Sequence, residues 1–114
     1  MIPKSFTLVN RKWVVRQVTE KQLQAHLDKH WNQDIDPEDR MSAKGIKGLC
    51  DPDVRRIFIN KSAHFTQEDM SHTYWHEFTH AILYANGESG HCEEWVDRIG
   101  GFLHQGIETS EYKD

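Results

Sequence analysis

One stretch limits the fold of this chain more than any other. Thr66 to Gly87, TQEDMSHTYWHEFTHAILYANG, carries the start, the stripe and the stop of a long helix. Thr66 suits an N-cap, because its hydroxyl can accept from a free backbone N–H of the first turn. Glu68 and Asp69 follow where the helix dipole favours negative charge, and Asn86-Gly87 supplies the break. Between them Met70, Tyr74, Phe78, Ala81, Ile82 and Ala85 recur as an apolar stripe of the kind that faces a core.

The other segments supply strands and two more helices around it. FTLVNRKWVVRQV (6–18) is rich in β-branched and aromatic residues, with polar Asn10, Arg11 and Lys12 suited to a turn between two short strands. Thr19 and Gln22 form a capping-box pattern ahead of Leu23, Leu27 and Trp31, which predicts a first helix ending near Trp31. NQDIDPEDR (32–40) has no periodicity and reads as a loop. The apolar runs on either side of Asp51-Pro52-Asp53 predict a second hairpin, with Ile57 and Ile59 on one face and Phe58 on the other. EEWVDRIGGFLHQ predicts a last helix with Trp95, Val96, Ile99, Phe102 and Leu103 on one arc, weakened at Gly100-Gly101.

The expected fold is α+β: a short antiparallel or mixed sheet packed on three helices. A chain of 114 residues has room for one compact domain. Within it, 1–44 hold the first hairpin, helix and loop, 45–104 the second hairpin and the histidine-bearing helices, and 105–114 a polar tail.

Charge and composition narrow the partners. A net charge of −4 provides no positive field for a phosphate backbone, so nucleic acid is not expected. No run approaches the roughly 18 apolar residues of a membrane span, and MIPKSFTLVNRKW has no apolar leader core. The expectation is a cytoplasmic protein with no membrane partner, in which Cys50 and Cys92 are thiols.

The chemistry lies in His76-Glu77-Phe78-Thr79-His80. Residues four apart on a helix share a face, so His76 and His80 can aim their imidazoles at one ion, with Glu77 beside them to accept a proton from water. Both lie off the apolar stripe. His72 and His76 form a second pair of the same spacing, but Thr73 stands where the base would be. His26 and His30 are a third pair, with no adjacent Glu and no third donor, and read as a solvated helix face.

A catalytic zinc takes three protein ligands and leaves a position for water. Asn86 stands where a metzincin would place its third histidine, which leaves His91, Cys92, Glu93 and Glu94 as candidates. If the last two helices are antiparallel across a short turn, the register that sets Glu93 beside His80 also sets Asp97 beside His76, where it can accept the other ring N–H of that ligand. Shifting to Glu94 would bring Arg98 opposite His76, an unfavourable cation. Glu93 is favoured, with Glu94, His91 and Cys92 open.

HEFTHAIL, followed after a short turn by EEWVD, resembles the glutamate-zincin metallopeptidases, in which a Glu on the next helix completes the site and, in thermolysin-like members, a supporting Asp follows four residues later. The short spacing looks more like the compact ImmA/IrrE-type and phage-encoded peptidase-like domains, where a hairpin such as GLCDPDVRRIFIN precedes the active-site helix. The resemblance covers roughly residues 45–104. It implies Zn²⁺ held by His76, His80 and Glu93, Glu77 as general base and a peptide or protein substrate. His64, His72, Tyr74, Tyr84 and His91 are open as donors to the reacting carbonyl oxygen. The alternative is a non-catalytic zincin-fold protein that binds or regulates a partner.

Overall fold

The computed structural model describes residues 2–112 and has the expected α+β architecture: a four-stranded mixed sheet and three helices. In chain order the elements are β1 (Ser5–Leu8), β2 (Arg11–Val18), α1 (Glu20–His30), β3 (Gly48–Asp51), β4 (Arg56–Asn60), α2 (Gln67–Ala85) and α3 (Glu93–Glu108). The strand order is β1-β2-β4-β3. Both expected hairpins are antiparallel, and a parallel β2–β4 pair joins them, with α1 in the crossover. No helix among the described residues is long and apolar enough to cross a membrane.

The first turn differs from expectation. It is a two-residue turn at Val9 and Asn10, closed by the Leu8–Arg11 pair, so Arg11 and Lys12 belong to β2. Both turn residues have positive φ, +49° and +61°, the mirror-image conformation whose twist matches that of the flanking strands. Asn tolerates this conformation; Val, with its branched Cβ, is strained in it. A sequence rule that places turns on polar residues therefore misses by one position.

Alternation along the strands splits the interior into two layers. Ile57 and Ile59 face Trp13, Val15, Cys50 and the α2 residues Met70, Tyr74 and Ala81. Phe58 faces the other way, with Val18, Leu49, Ala43 and the α1 residues Leu23 and Leu27. The sheet is the middle layer. The capping box at Thr19 is complete, with Gln22 N–H donating to the Thr19 hydroxyl and Thr19 N–H to Gln22 Oε1. On α2 the stripe holds as far as Ala81, while Ile82 and Ala85 reach past the sheet edge and are exposed.

Helix α3 overturns part of its expected pattern. It lies on α2, and Val96 and Gly100 are its buried residues, whereas Trp95, Ile99 and Phe102 face outward. The helix runs unbroken through Gly100-Gly101. Gly100 is the place where α3 meets the α2 backbone: a Cβ there would stand 2.8 Å from His76 Cα and 2.9 Å from His76 N. The helix also continues past Gln105, where the tail was expected to start, to Glu108.

Gly100→Ala should therefore push the two helices apart at a cost of about 1–3 kcal/mol. Gly101→Ala, whose Cβ would meet only His72 Cε1 at 3.6 Å, should instead add about 0.5–1 kcal/mol through helix propensity. Urea unfolding of the two variants beside the parent chain checks the opposite signs.

Candidate metal centre

The third and fourth turns of α2 carry the histidines, and two glycines let other elements come close to them. Gly100 brings α3 against His76 from one side. From the other, edge strand β3 approaches at Gly48, where a Cβ would stand 2.6 Å from Thr73 Cγ2 and 3.0 Å from Glu77 Cγ. Between these walls opens a cleft of about 360 Å³, lined by Gly48, Cys50, His76, Glu77, His80, Tyr84 and Glu93, with Trp31 and Met41 at its rim.

With α3 fixed at Gly100, the first two turns of that helix run alongside the histidines. Glu93 reaches both: Oε1 lies 3.1 Å from His80 Nε2 and Oε2 lies 3.2 Å from His76 Nε2. Asp97 Oδ1 lies 3.3 Å from His76 Nδ1, as the antiparallel register requires. An N–H at Nδ1 donating to Asp97 leaves His76 Nε2 with its lone pair directed at Glu93. Burial lowers the pKa of His80, with His76 and His91 adding to the effect and Glu93 opposing it, so the ring favours its neutral, ligating form.

The other candidates lie elsewhere. Glu94 pairs with Arg98 at 3.1 Å on the exposed face of α3. Cys92 is exposed and precedes the first turn of α3. His91 is stacked behind His80 with ring centroids 5.0 Å apart, its Nδ1 facing His80 Nδ1 and not the Nε2 side. Of the five possible donors to a carbonyl oxygen, only Tyr84 lines the cleft. Tyr74 is buried against the sheet. Both nitrogens of His64 are engaged, with Asn60 O and Thr73 Oγ1, each at 2.7 Å. His72 stands outside the cleft, 3.7 Å from Asp97.

The donor set fits a divalent cation. One nitrogen from each histidine and one Glu93 oxygen lie within 4.8 Å of one another. Two imidazole lone pairs facing two carboxylate oxygens repel unless positive charge lies between them, and two nitrogens with one carboxylate is a zinc-type set. The one other group of three such donors among the described residues, Asp36, Glu38 and Asp39, is all carboxylate and exposed.

Glu77 is the second sign of a built site. It is 7% exposed, and its Oε2 is buried with no hydrogen-bond partner among the described residues. Burial, with the Glu93 charge adding to it, pushes its pKa up to about 8. A cation at the neighbouring donors would pull that value back down.

The pattern of the sequence misses one buried polar group. His26, read as solvated, has a side chain only 8% exposed, and its Nε2 lies 2.9 Å from Asp51 Oδ2. Asp51 also accepts from the Trp31 indole N–H at 3.2 Å and from Asp53 N–H at 3.1 Å, which fixes Trp31 at the rim of the cleft. Only a partner buried across the sheet distinguishes such a histidine from an exposed one, and Asp51 beside Pro52 reads simply as a turn former.

No family model matches the chain, and neither the curated proteins nor the solved structures contain a match to it.

Two measurements follow from this geometry. Elemental analysis of chain purified without a metal-binding tag should return about one zinc per chain; His80→Ala and Glu93→Ala should lose it, and His72→Ala should keep it. In the metal-free chain the folded-state pKa of Glu77, about 8, exceeds its ordinary value of 4.5. The stability this group contributes is complete below the lower value and is lost as pH rises through the higher one. The urea midpoint of metal-free parent chain should thus fall relative to Glu77→Gln between about pH 5 and about pH 9.

Proposed function

We propose that this protein is a small zinc-dependent peptidase of the zincin type, with His76, His80 and Glu93 as metal ligands and Glu77 as general base. The observation that carries the reading is Glu77. A carboxyl group buried beside a cation-fitting donor set, with one oxygen left unpaired, raises the energy of the fold and has no structural use there. General-base catalysis gives it one.

Zinc bound at these residues would polarise a peptide carbonyl and acidify a water beside it. The Glu77 carboxylate takes a proton from the water that attacks the carbonyl carbon, and passes it to the amine nitrogen as the C–N bond breaks. Glu93 and the two histidines would hold the ion, and Asp97, accepting from Nδ1, would keep His76 in the tautomer that ligates. The Tyr84 hydroxyl stands on the cleft wall as a donor for the carbonyl oxygen as charge builds on it.

The substrate side is supported by β3. Lys47 O accepts from Asn60 N–H, so in the antiparallel ladder Lys47, Leu49 and Asp51 turn their backbone groups toward β4. The N–H and C=O groups of Gly48 and Cys50 then point to the open edge, beside Glu77. An extended peptide pairing with that edge would bring a backbone carbonyl past the metal ligands. No such pairing is available to a nucleic acid.

One observation favours the second reading, a zincin-fold protein that binds a partner without cleaving it: the outward stripe of Trp95, Ile99 and Phe102 on α3, which is apolar surface of the kind that marks interaction sites. Glu77→Gln separates the two. Under the peptidase reading it keeps its zinc and loses about 10²- to 10⁴-fold in kcat/KM on a quenched-fluorescent peptide library. Undiminished hydrolysis by that variant removes Glu77 from the mechanism, and no hydrolysis by zinc-loaded parent chain favours the binding protein.

A further inference from the structure

The hydrogen-bond directions behind His80 follow from one atom that can only accept. His91 Nε2 lies 2.8 Å from the Glu88 carbonyl oxygen, so that nitrogen carries the hydrogen and donates. A neutral His91 ring then has a bare Nδ1, which lies 2.7 Å from His80 Nδ1. Two bare nitrogens at that distance repel, so His80 Nδ1 carries a hydrogen and donates it to His91. His80 is left with its lone pair on Nε2, the nitrogen that faces Glu93.

We infer that His91, anchored on the Glu88 carbonyl, is the positioning residue that holds His80 in its ligating tautomer and aims Nε2 into the metal site. The inference rests on the reading of His76, His80 and Glu93 as cation ligands. It makes the turn between α2 and α3 part of the metal centre. His76 is oriented by a carboxylate on α3, whereas His80 is oriented by an imidazole on the turn.

The surroundings hold His91 in that role. Its ring is stacked on His80 with an interplanar angle of 21°, and the Tyr84 ring packs on it with centroids 4.3 Å apart. The turn itself is tied to the end of α2 by Glu88 N–H donating to Leu83 O at 3.0 Å and by Gly87 N–H donating to Tyr84 O at 2.9 Å. Gly87 has φ +82°, which lets the chain reverse there and bring the Glu88 carbonyl to the edge of the His91 ring. With both of its nitrogens engaged, His91 has none left to bind the ion.

The test is zinc affinity in the full-length chain, measured by competition with a chelating dye at fixed pH. His91→Leu removes the acceptor and should weaken zinc binding by about 10- to 100-fold. His91→Asn places a carbonyl oxygen near the Nδ1 position and should recover most of that loss, because an amide oxygen accepts the His80 hydrogen but is a poor zinc ligand. Parent-like affinity in His91→Leu overturns the inference. Equal loss in both variants also overturns it, since that marks His91 as a ligand. Nitrogen NMR of His80 in metal-free chain gives an independent readout: the Nδ1–H form should dominate in the parent chain and in His91→Asn and give way to a tautomer mixture in His91→Leu, and a spectrum indifferent to residue 91 overturns the inference. If the parent chain binds no zinc, the metal reading fails, and the NMR comparison still decides the role of His91.

Discussion

The contact on which the site depends is between two backbones. At Gly100 helix α3 comes so close to α2 that even a methyl group would overlap the main chain at His76. Ridges of side chains normally hold helices about 8–10 Å apart, and a glycine at the crossing removes the ridge. Once that point is set, the rise of the helix does the rest. Residues one and two turns before Gly100 come level with His76 and His80, and these are Asp97 and Glu93. Gly48 has the same effect on the opposite side, where it lets an edge strand lie against Thr73 and Glu77. Two absent side chains thus shape the cleft as firmly as those that line it.

Electrostatics then makes that close-packed junction suited to a cation. Around His76 and His80 the chain gathers lone pairs and carboxylates with no Lys or Arg among the cleft-lining residues. Left alone, such a group is held together by shared protons; a divalent cation suits it better, because every donor atom is an acceptor aimed at one volume. Glu77 adds a carboxyl group with one oxygen buried and unpaired, at a cost to folding that a structural site would have no reason to carry. Strain of this sort collects where chemistry is done.

Three different kinds of structure surround these groups: a carboxylate on α3 beside His76, an imidazole on the α2–α3 turn beside His80, and the interior itself around Glu77. At the rim, a buried His26–Asp51 pair holds the indole of Trp31, so α1 shapes the mouth of the cleft from the far face of the sheet. At about 100° per residue, the outward apolar stripe of α3 lies on the opposite side of that helix from Glu93 and Asp97. One helix thus carries the carboxylates of the cleft on one side and an exposed apolar stripe on the other.

Local rules carried much of this. Caps, stops and periodicity gave the three helices and the two hairpins, because those signals act over a few residues and depend little on the rest of the chain. The alternation Ile57, Phe58, Ile59 sorted two cores correctly for the same reason, and the spacing of His76 with His80, and of Glu93 with Asp97, is arithmetic on a helix. The sequence could not say that β2 and β4 pair in parallel, that Val9 and not a polar residue opens the turn, that His26 is buried, or which side of α3 faces inward. Those outcomes depend on which distant surfaces meet, and a glycine that reads as a weak point in one helix becomes the point of closest approach once a second helix is present. The sequence by itself determined which side chains could be ligands. Only tertiary structure decided which of them share one volume, because convergence of lone pairs is a property of the crossing between helices and not of either helix alone.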